Sequence, residues 1–145
     1  MNSNRSNTRM IVIANNFVLN EAFDMAKKRV LIIDDDSKNI FALTATLRAK
    51  SYECVSCTSA REALELLRTN ESIDIVLIDM MMPEMDGYEA IPLIQSMEHH
   101  RETPIFAVTA QAMVGDREKC LRAGATEYIS KPIDVDRLLG LLDRV

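Results

Sequence analysis

From residue 30 to residue 145, short apolar runs alternate with segments whose apolar residues recur every three or four positions. The runs predict strands over residues 30–33, 53–58, 75–78, 105–108 and 127–130. Between the first two runs, Ile40, Leu43 and Leu47 share one face of a predicted helix. Pro92 interrupts the third helical segment and predicts a kink or a later start. Repeated strand–helix units with apolar strands predict an α/β fold, a doubly wound parallel sheet covered on both sides.

Residues 1–27 lack this alternation. They are rich in Asn, and they contain a short apolar run at residues 10–14 and an ambiguous segment at residues 17–25 that is compatible with a helical turn or two. We interpret residues 1–27 as an N-terminal extension of uncertain order, and we expect it to be the least ordered part of the chain. The predicted domain spans residues 28–145.

The length, the net charge and the short apolar runs of the chain argue against several classes of protein. The 145 residues are 48% hydrophobic, which is enough for one compact domain with its own core. A net charge of −5 gives no support to a nucleic-acid-binding surface. The apolar runs are far shorter than the ~18 residues of a membrane span, and the run at residues 10–14 is too short for a secretory signal. We therefore expect a cytoplasmic protein that binds neither nucleic acid nor membrane.

The cysteines and histidines favour structural roles. Three cysteines are an odd number for a disulfide framework. Cys54 and Cys57 spell C-x-x-C, but residues three apart on a strand point to opposite faces, so we interpret these two and Cys120 as packing thiols. His99 and His100 lie in a polar run, which predicts a solvated loop.

The candidate chemistry centres on residues 75–87, which read Ile-Val-Leu-Ile-Asp-Met-Met-Met-Pro-Glu-Met-Asp-Gly. Four apolar residues predict a strand buried on both faces, and Asp79 ends it. Pro83 and Gly87 then force the chain to turn. The sequence thus predicts a carboxylate held at a strand tip and overhung by a loop.

Further polar residues follow other predicted strands in the same way. Asp34 and Asp35 follow the first strand, Thr109 the fourth and Lys131 the fifth. Because parallel strands end at one edge of a doubly wound sheet, we expect these side chains to converge on Asp79. Three crowded carboxylates repel each other and raise their pKa values unless a cation neutralises them. A hard divalent ion such as Mg²⁺ is the expected cofactor.

The loop after Asp79, the acid pair, the threonine and the lysine together resemble a response-regulator receiver domain of the CheY-like superfamily. The resemblance covers residues 28–145. Within the family, the sequence is similar to single-domain receivers and to the receivers of hybrid kinases. It implies a flavodoxin-like sheet of order 2-1-3-4-5 with five helices, and a cis Lys131–Pro132 bond. It also implies a phosphoacceptor signalling domain of a two-component or phosphorelay system rather than an enzyme.

By this resemblance, Asp79 is the phosphoacceptor. Its donor is a phosphohistidine on a histidine kinase or a histidine phosphotransfer protein. Mg²⁺, with Mn²⁺ as a substitute, is held by Asp35, Asp79 and the backbone carbonyl of Met81, while Asp34 acts through a water. The resemblance further implies a downstream protein target and a monomer or weak dimer.

Lys131 and Thr109 bind the phosphoryl oxygens in the family, and Thr109 with Tyr128 forms the switch that alters the interaction surface. The residues two after the phosphoacceptor and two after the threonine, Met81 and Gln111, tune dephosphorylation. Because an apolar Met81 cannot orient an attacking water, we expect slower self-dephosphorylation than with Asn at this position.

The sequence leaves two alternatives to a phosphoacceptor domain, a phosphatase and a binding module that is independent of phosphorylation. Asp34-Asp35-Asp36 contains the D-x-D of haloacid-dehalogenase-like phosphatases, but Lys38 stands where that family has Thr or Val. A phosphorylation-independent binding module is disfavoured by the intact set of acids, threonine and lysine. The cognate kinase, the signal, the target, and the choice between a stand-alone receiver and one cut from a hybrid kinase stay open.

Overall fold

The computed structural model describes residues 28–69, 72–110 and 113–145. The predicted extension of residues 1–27 therefore lies outside the described residues. The strands are β1 (Arg29–Ile33), β2 (Glu53–Cys57), β3 (Ile75–Asp79), β4 (Ile105–Thr109) and β5 (Glu127–Ser130). The helices are α1 (Ser37–Ala49), α2 (Ala60–Arg68), α3 (Gly87–Gln95), a 3₁₀ helix (Glu98–His100), α4 (Asp116–Ala123) and α5 (Val135–Leu142).

The five strands form one parallel sheet in the order β2-β1-β3-β4-β5. The predicted fold class, strand order and five α-helices are confirmed. β3 lies at the centre, and all of its residues are buried, which is why its sequence is a continuous apolar run rather than an alternating one. The Lys131–Pro132 bond is cis.

The sheet divides the core into two halves, because successive residues of a strand face opposite sides. Leu31 and Ile33 of β1 pack on the side of α2, α3 and α4. Val30 and Ile32 pack on the side of α1 and α5. Fully burying one side chain of this size contributes about 1.5–3 kcal/mol to the free energy of folding. Because both faces of the sheet carry such side chains, helices that cover both faces stabilise the fold.

The cysteines follow the same alternation. Cys57 is buried in the α2–α4 half of the core, and Cys54 packs against the α1–α5 half. Both are free thiols, as is the buried Cys120. The prediction that Cys54 and Cys57 point to opposite faces is confirmed.

The third helix differs from the prediction. It begins at Gly87 and keeps Pro92 inside it, so the predicted later start is wrong. Asp86 accepts a hydrogen bond from the Glu89 amide, and the Glu89 carboxylate accepts one from the Asp86 amide. This capping box fixes the start of the helix ahead of the proline.

The prediction of a solvated loop at the two histidines is wrong for His100. It ends the 3₁₀ helix and is 2% exposed, with Nδ1 3.1 Å from the Thr103 hydroxyl. Nε2 of His99 lies 2.9 Å from the carbonyl oxygen of Leu67, in the last turn of α2. The turn thus packs against the end of α2, a contact between distant segments that a polar run does not reveal.

Among the residues that the structure describes, no helix combines the length and the apolar character needed to cross a bilayer.

Candidate functional site

The candidate site residues lie at the carboxyl edge of the sheet. Asp34 directly follows β1, Asp79 is the last residue of β3, Thr109 is the last residue of β4, and Lys131 directly follows β5. The strands are parallel, so their ends meet at the edge where ligands bind in doubly wound sheets.

Three carboxylates converge at this edge. Asp34, Asp35 and Asp79 each offer an oxygen, and the three atoms lie within 4.8 Å of one another. Asp34 and Asp79 are buried, whereas Asp35 is exposed. Clustered carboxylate oxygens with one open side suit a hard cation that prefers oxygen ligands and keeps some of its waters. The residues present therefore fit Mg²⁺.

Lys131 neutralises part of this negative charge. Its Nζ lies 3.4 Å from Asp79 Oδ2 and 3.4 Å from Asp34 Oδ2. Burial alone would lower the pKa of Lys131, but the carboxylates of Asp79 and Asp34 outweigh burial and raise it. Lys131 is therefore a cation at neutral pH.

The surroundings of Asp79 shift its pKa in opposite directions. Burial raises its pKa above the ordinary value, and the Met81 amide and the Lys131 ammonium lower it only in part, while Asp34 raises it again. The net direction is upward. A divalent cation would remove this cost, because it stabilises the charged form that burial disfavours.

Backbone amides fix the two buried acids. The Met81 N–H donates to Asp79 Oδ1 at 3.0 Å, and the Asp36 N–H donates to Asp34 Oδ1 at 2.8 Å. Asp36 in turn caps α1 by accepting the Lys38 N–H at 2.9 Å. The third acid of the run thus serves the helix, whereas the first two belong to the cluster.

The loop after Asp79 is held at both ends. The Met80 N–H donates to the Val108 carbonyl oxygen at 2.9 Å, and the Gly87 N–H donates to the Met80 carbonyl oxygen at 3.1 Å. A Cβ on Gly87 would lie 2.9 Å from Met80 Cα and 2.3 Å from Met80 Sδ. Glycine therefore permits the close approach that anchors the start of α3 beside the phosphoacceptor candidate.

The other predicted residues occupy different surroundings. The Met81 side chain is 50% exposed, although Met80 and Met82 on either side of it are buried. Thr109 is buried. Tyr128 is partly buried against the α2–α4 half of the core. Gln111 lies outside the described residues.

Asn39 was missed by the sequence reasoning. It lies in the first turn of α1, and its Nδ2 is 3.3 Å from Asp34 Oδ2. Asp34 precedes α1, so the contact depends on how α1 is rotated against β1, and the apolar pattern of the sequence does not fix that rotation.

Comparison with known proteins bears on this arrangement. A family model described as the response regulator receiver domain matches residues 30–143. The signal transduction histidine-protein kinase BarA of Escherichia coli strain K12 is 39% identical over 115 residues, which are 79% of this chain and 12% of BarA. The chain thus spans about an eighth of BarA. The polar-differentiation response regulator DivK of Brucella ovis is 38% identical over 112 residues, which are 77% of this chain and 90% of DivK.

Solved structures of receiver-domain proteins superpose on this chain. The receiver domain of the sensor histidine kinase PA1611 from Pseudomonas aeruginosa PAO1 superposes with a TM-score of 0.75 at 34% identity, over 82% of this chain and 97% of that one. That crystal structure has a magnesium ion coordinated in its active-site cleft. The chemotaxis protein CheY4 of Vibrio cholerae superposes with a TM-score of 0.76 at 28% identity, over 83% of this chain and 99% of that one.

Proposed function

This chain belongs to the response regulator receiver domain family, and from that premise we propose that it is a phosphoacceptor of a two-component or phosphorelay system. Asp79 receives a phosphoryl group from a phosphohistidine on a histidine kinase or phosphotransfer protein. The observation that carries this proposal is the convergence of three carboxylates and Lys131 on the end of β3.

The transfer exchanges one bond to phosphorus for another. A carboxylate oxygen of Asp79 attacks phosphorus, the N–P bond of the donor breaks, and the electron pair leaves with the imidazole. The Met81 N–H holds Oδ1 of Asp79, and Oδ2, which faces the Lys131 ammonium, is the proposed attacking atom. Burial of Asp79 keeps bulk water away from the reacting centre.

Asp34, Asp35, Asp79 and the carbonyl oxygen of Met81 are the proposed magnesium ligands, with Asp34 acting through a water. When bound, the ion neutralises negative charge on the acids and on the phosphoryl oxygens. Lys131 turns from the carboxylates to a phosphoryl oxygen, and the Thr109 hydroxyl donates to another. Mn²⁺ is expected to substitute.

Phosphorylation is read out by a shift between two conformations. Thr109 moves toward the phosphoryl group, and Tyr128 on β5 moves inward behind it. The surface made by α4, β5 and α5 changes in consequence and binds a downstream protein target. We place the donor and the target in the cytoplasm. The kinase activity of BarA is not ascribed to this chain.

Phosphotransfer to the purified chain tests the proposal. Radiolabelled phosphohistidine proteins from a panel of kinases and phosphotransfer proteins are expected to label the parent chain in the presence of Mg²⁺. Chelation of the metal and Asp79→Asn each abolish labelling. Asp36→Asn is the matched control, because Asn also caps helices well, and it keeps labelling.

Labelling that survives Asp79→Asn would refute the assignment of the phosphoacceptor. Catalytic turnover of a phosphomonoester would instead favour the haloacid-dehalogenase-like alternative. Partner binding that is indifferent to both Mg²⁺ and Asp79→Asn would favour a phosphorylation-independent binding module.

A further inference from the structure

The carboxylate of Asp34 is held by donors from three parts of the fold. Oδ1 accepts the Asp36 amide N–H. Oδ2 lies 3.3 Å from Nδ2 of Asn39 on α1 and 3.4 Å from Nζ of Lys131 after β5. Because Asp34 is 4% exposed, protein groups rather than bulk water must satisfy most of its hydrogen bonds.

The Lys131 contact is shared. Its Nζ is equally distant from Asp34 Oδ2 and Asp79 Oδ2. Under the proposed function, Lys131 turns to the phosphoryl group once Asp79 is phosphorylated, so Asp34 Oδ2 loses this donor. Within residues 28–69, 72–110 and 113–145, Asn39 then supplies the remaining side-chain donor to that oxygen.

The chemistry of Asn39 suits this task. Its amide donates a hydrogen bond without carrying charge, so it holds the carboxylate without opposing a cation. Its backbone belongs to the first turn of α1, which the Asp36 cap fixes. A donor on a rigid element orients a ligand more accurately than one on a loop.

Asn39 also lines a cavity next to the acidic cluster. Together with Lys131 it lines a cavity of about 270 Å³ between α1 and the segment after β5. Leu43, Thr46 and Pro132 line the rest of this cavity with other apolar neighbours. Asn39 therefore both contacts the acidic cluster and lines this cavity.

We infer that Asn39 is a positioning residue for the divalent cation site. Its amide holds Asp34 Oδ2 in the orientation that serves the cation, and it retains this carboxylate when Lys131 moves away. The movement of Lys131 rests on the proposed function. The effect on cation affinity does not, because it is measurable without phosphotransfer.

Cation binding to the full chain tests the inference. Mn²⁺ affinity is measured from the paramagnetic resonance signal of the free ion, and Mg²⁺ affinity by calorimetry. Asn39→Leu removes the donor at similar volume and is expected to weaken both affinities by about tenfold, the lower end for loss of a partner that orients a ligand. Asn39→Gln, which keeps an amide, is expected to recover part of the loss.

Thr46→Val is the matched control. Thr46 lines the same cavity from the same helix, but its hydroxyl donates to the Ala42 carbonyl oxygen rather than to the cluster. Its cation affinity is expected to equal that of the parent. A loss as large as that of Asn39→Leu would show that the cavity wall, and not the amide, is responsible, and would overturn the inference.

A double-mutant cycle with Lys131→Met separates positioning from a merely structural role. Without the lysine, Asp34 Oδ2 depends on Asn39 alone among these two donors, so Asn39→Leu should cost more affinity than it does in the parent. Equal costs in the two backgrounds, or a lower melting temperature of the metal-free chain with unchanged affinity, would overturn the inference. A parent chain that binds neither cation would overturn the proposed function as well.

Discussion

At the scale of single residues, Met81 in the loop after Asp79 uses its backbone and its side chain differently. The Met81 N–H donates to Asp79 Oδ1, while Met81 as a residue is 50% exposed. The hydrogen bond from Met81 to Asp79 therefore does not depend on which side chain residue 81 carries. Under the proposed function, a substitution of the Met81 side chain changes what borders the phosphoryl group without removing the hydrogen bond from the Met81 N–H to Asp79.

Met81→Asn is expected to shorten the lifetime of the aspartyl-phosphate, because an amide orients an attacking water and a thioether does so poorly. The chain is phosphorylated with a small phosphodonor, the donor is removed, and phosphate release is followed over time. Met81→Leu is the matched control and should keep the parent lifetime. Equal lifetimes for Met81→Asn and the parent would contradict the role assigned to this side chain.

Single residues also mark the limit of what the sequence predicts. Asp34, Asp79, Thr109 and Lys131 were predictable because each ends or follows an apolar run, and strand ends share an edge. Asn39 carried no such signal, since its role depends on the exact rotation of α1 against β1.

At the scale of elements, the short 3₁₀ helix depends on a buried histidine. Burial lowers the pKa of His100, and the adjacent His99 ring lowers it further. The rings of the two histidines have centroids 4.4 Å apart. Protonating His100 would thus place a charge in a buried site beside another imidazole.

The stability of the chain should consequently fall as the pH drops below about 6.5, the ordinary histidine value. The folded form of His100 has the lower pKa, so the unfolded chain takes up the proton first, and acid favours unfolding. Urea unfolding between pH 8 and pH 5 measures this effect, and His100→Asn, which keeps a polar partner for Thr103, should flatten the profile.

His99→Gln serves as the comparison, because it leaves the buried ring in place and should retain the acid-dependent loss. If His100→Asn loses stability toward acid as steeply as the parent does, other groups account for the pH dependence.

Elements were otherwise the most predictable level. Strand positions followed from bounded apolar runs, and in the structure Asp86 and Asp134 cap the starts of α3 and α5. Pro92 does not delay the start of α3, because the capping box ahead of it fixes that start and because Ile91 and Ile94 beside it are buried; the predicted kink stays a prediction. Likewise, the polar run did not indicate the contact between His99 and Leu67 at the end of α2, because it joins residues 32 positions apart.

At the scale of the whole molecule, two apolar half-cores support an edge that is crowded with acids. The fold therefore carries an electrostatic cost at the carboxyl edge of the sheet. The raised pKa of Asp79, caused first by burial, means that the folded state prefers the protonated acid. Stability attributable to Asp79 is present at low pH and is lost as the pH rises through its folded pKa.

Asp79→Asn is accordingly expected to raise the melting temperature of the metal-free chain at pH 7. Saturating Mg²⁺ should stabilise the parent by about 2.7 kcal/mol at one hundred times the dissociation constant, a shift of roughly 8 °C. The same addition should stabilise Asp79→Asn much less. Thermal scans at constant ionic strength measure both effects, and a parent that gains nothing from Mg²⁺ would contradict the cation site.

The anchoring of the loop between Met80 and Gly87 has a consequence for timing. Two main-chain hydrogen bonds and a glycine without a Cβ secure its ends, so the exposed Met81 side chain can be replaced without disturbing them. If Asp79 is the phosphoacceptor, exchange of this one side chain would change the duration of the signal while the hydrogen bonds that hold Asp79 and the start of α3 stay in place.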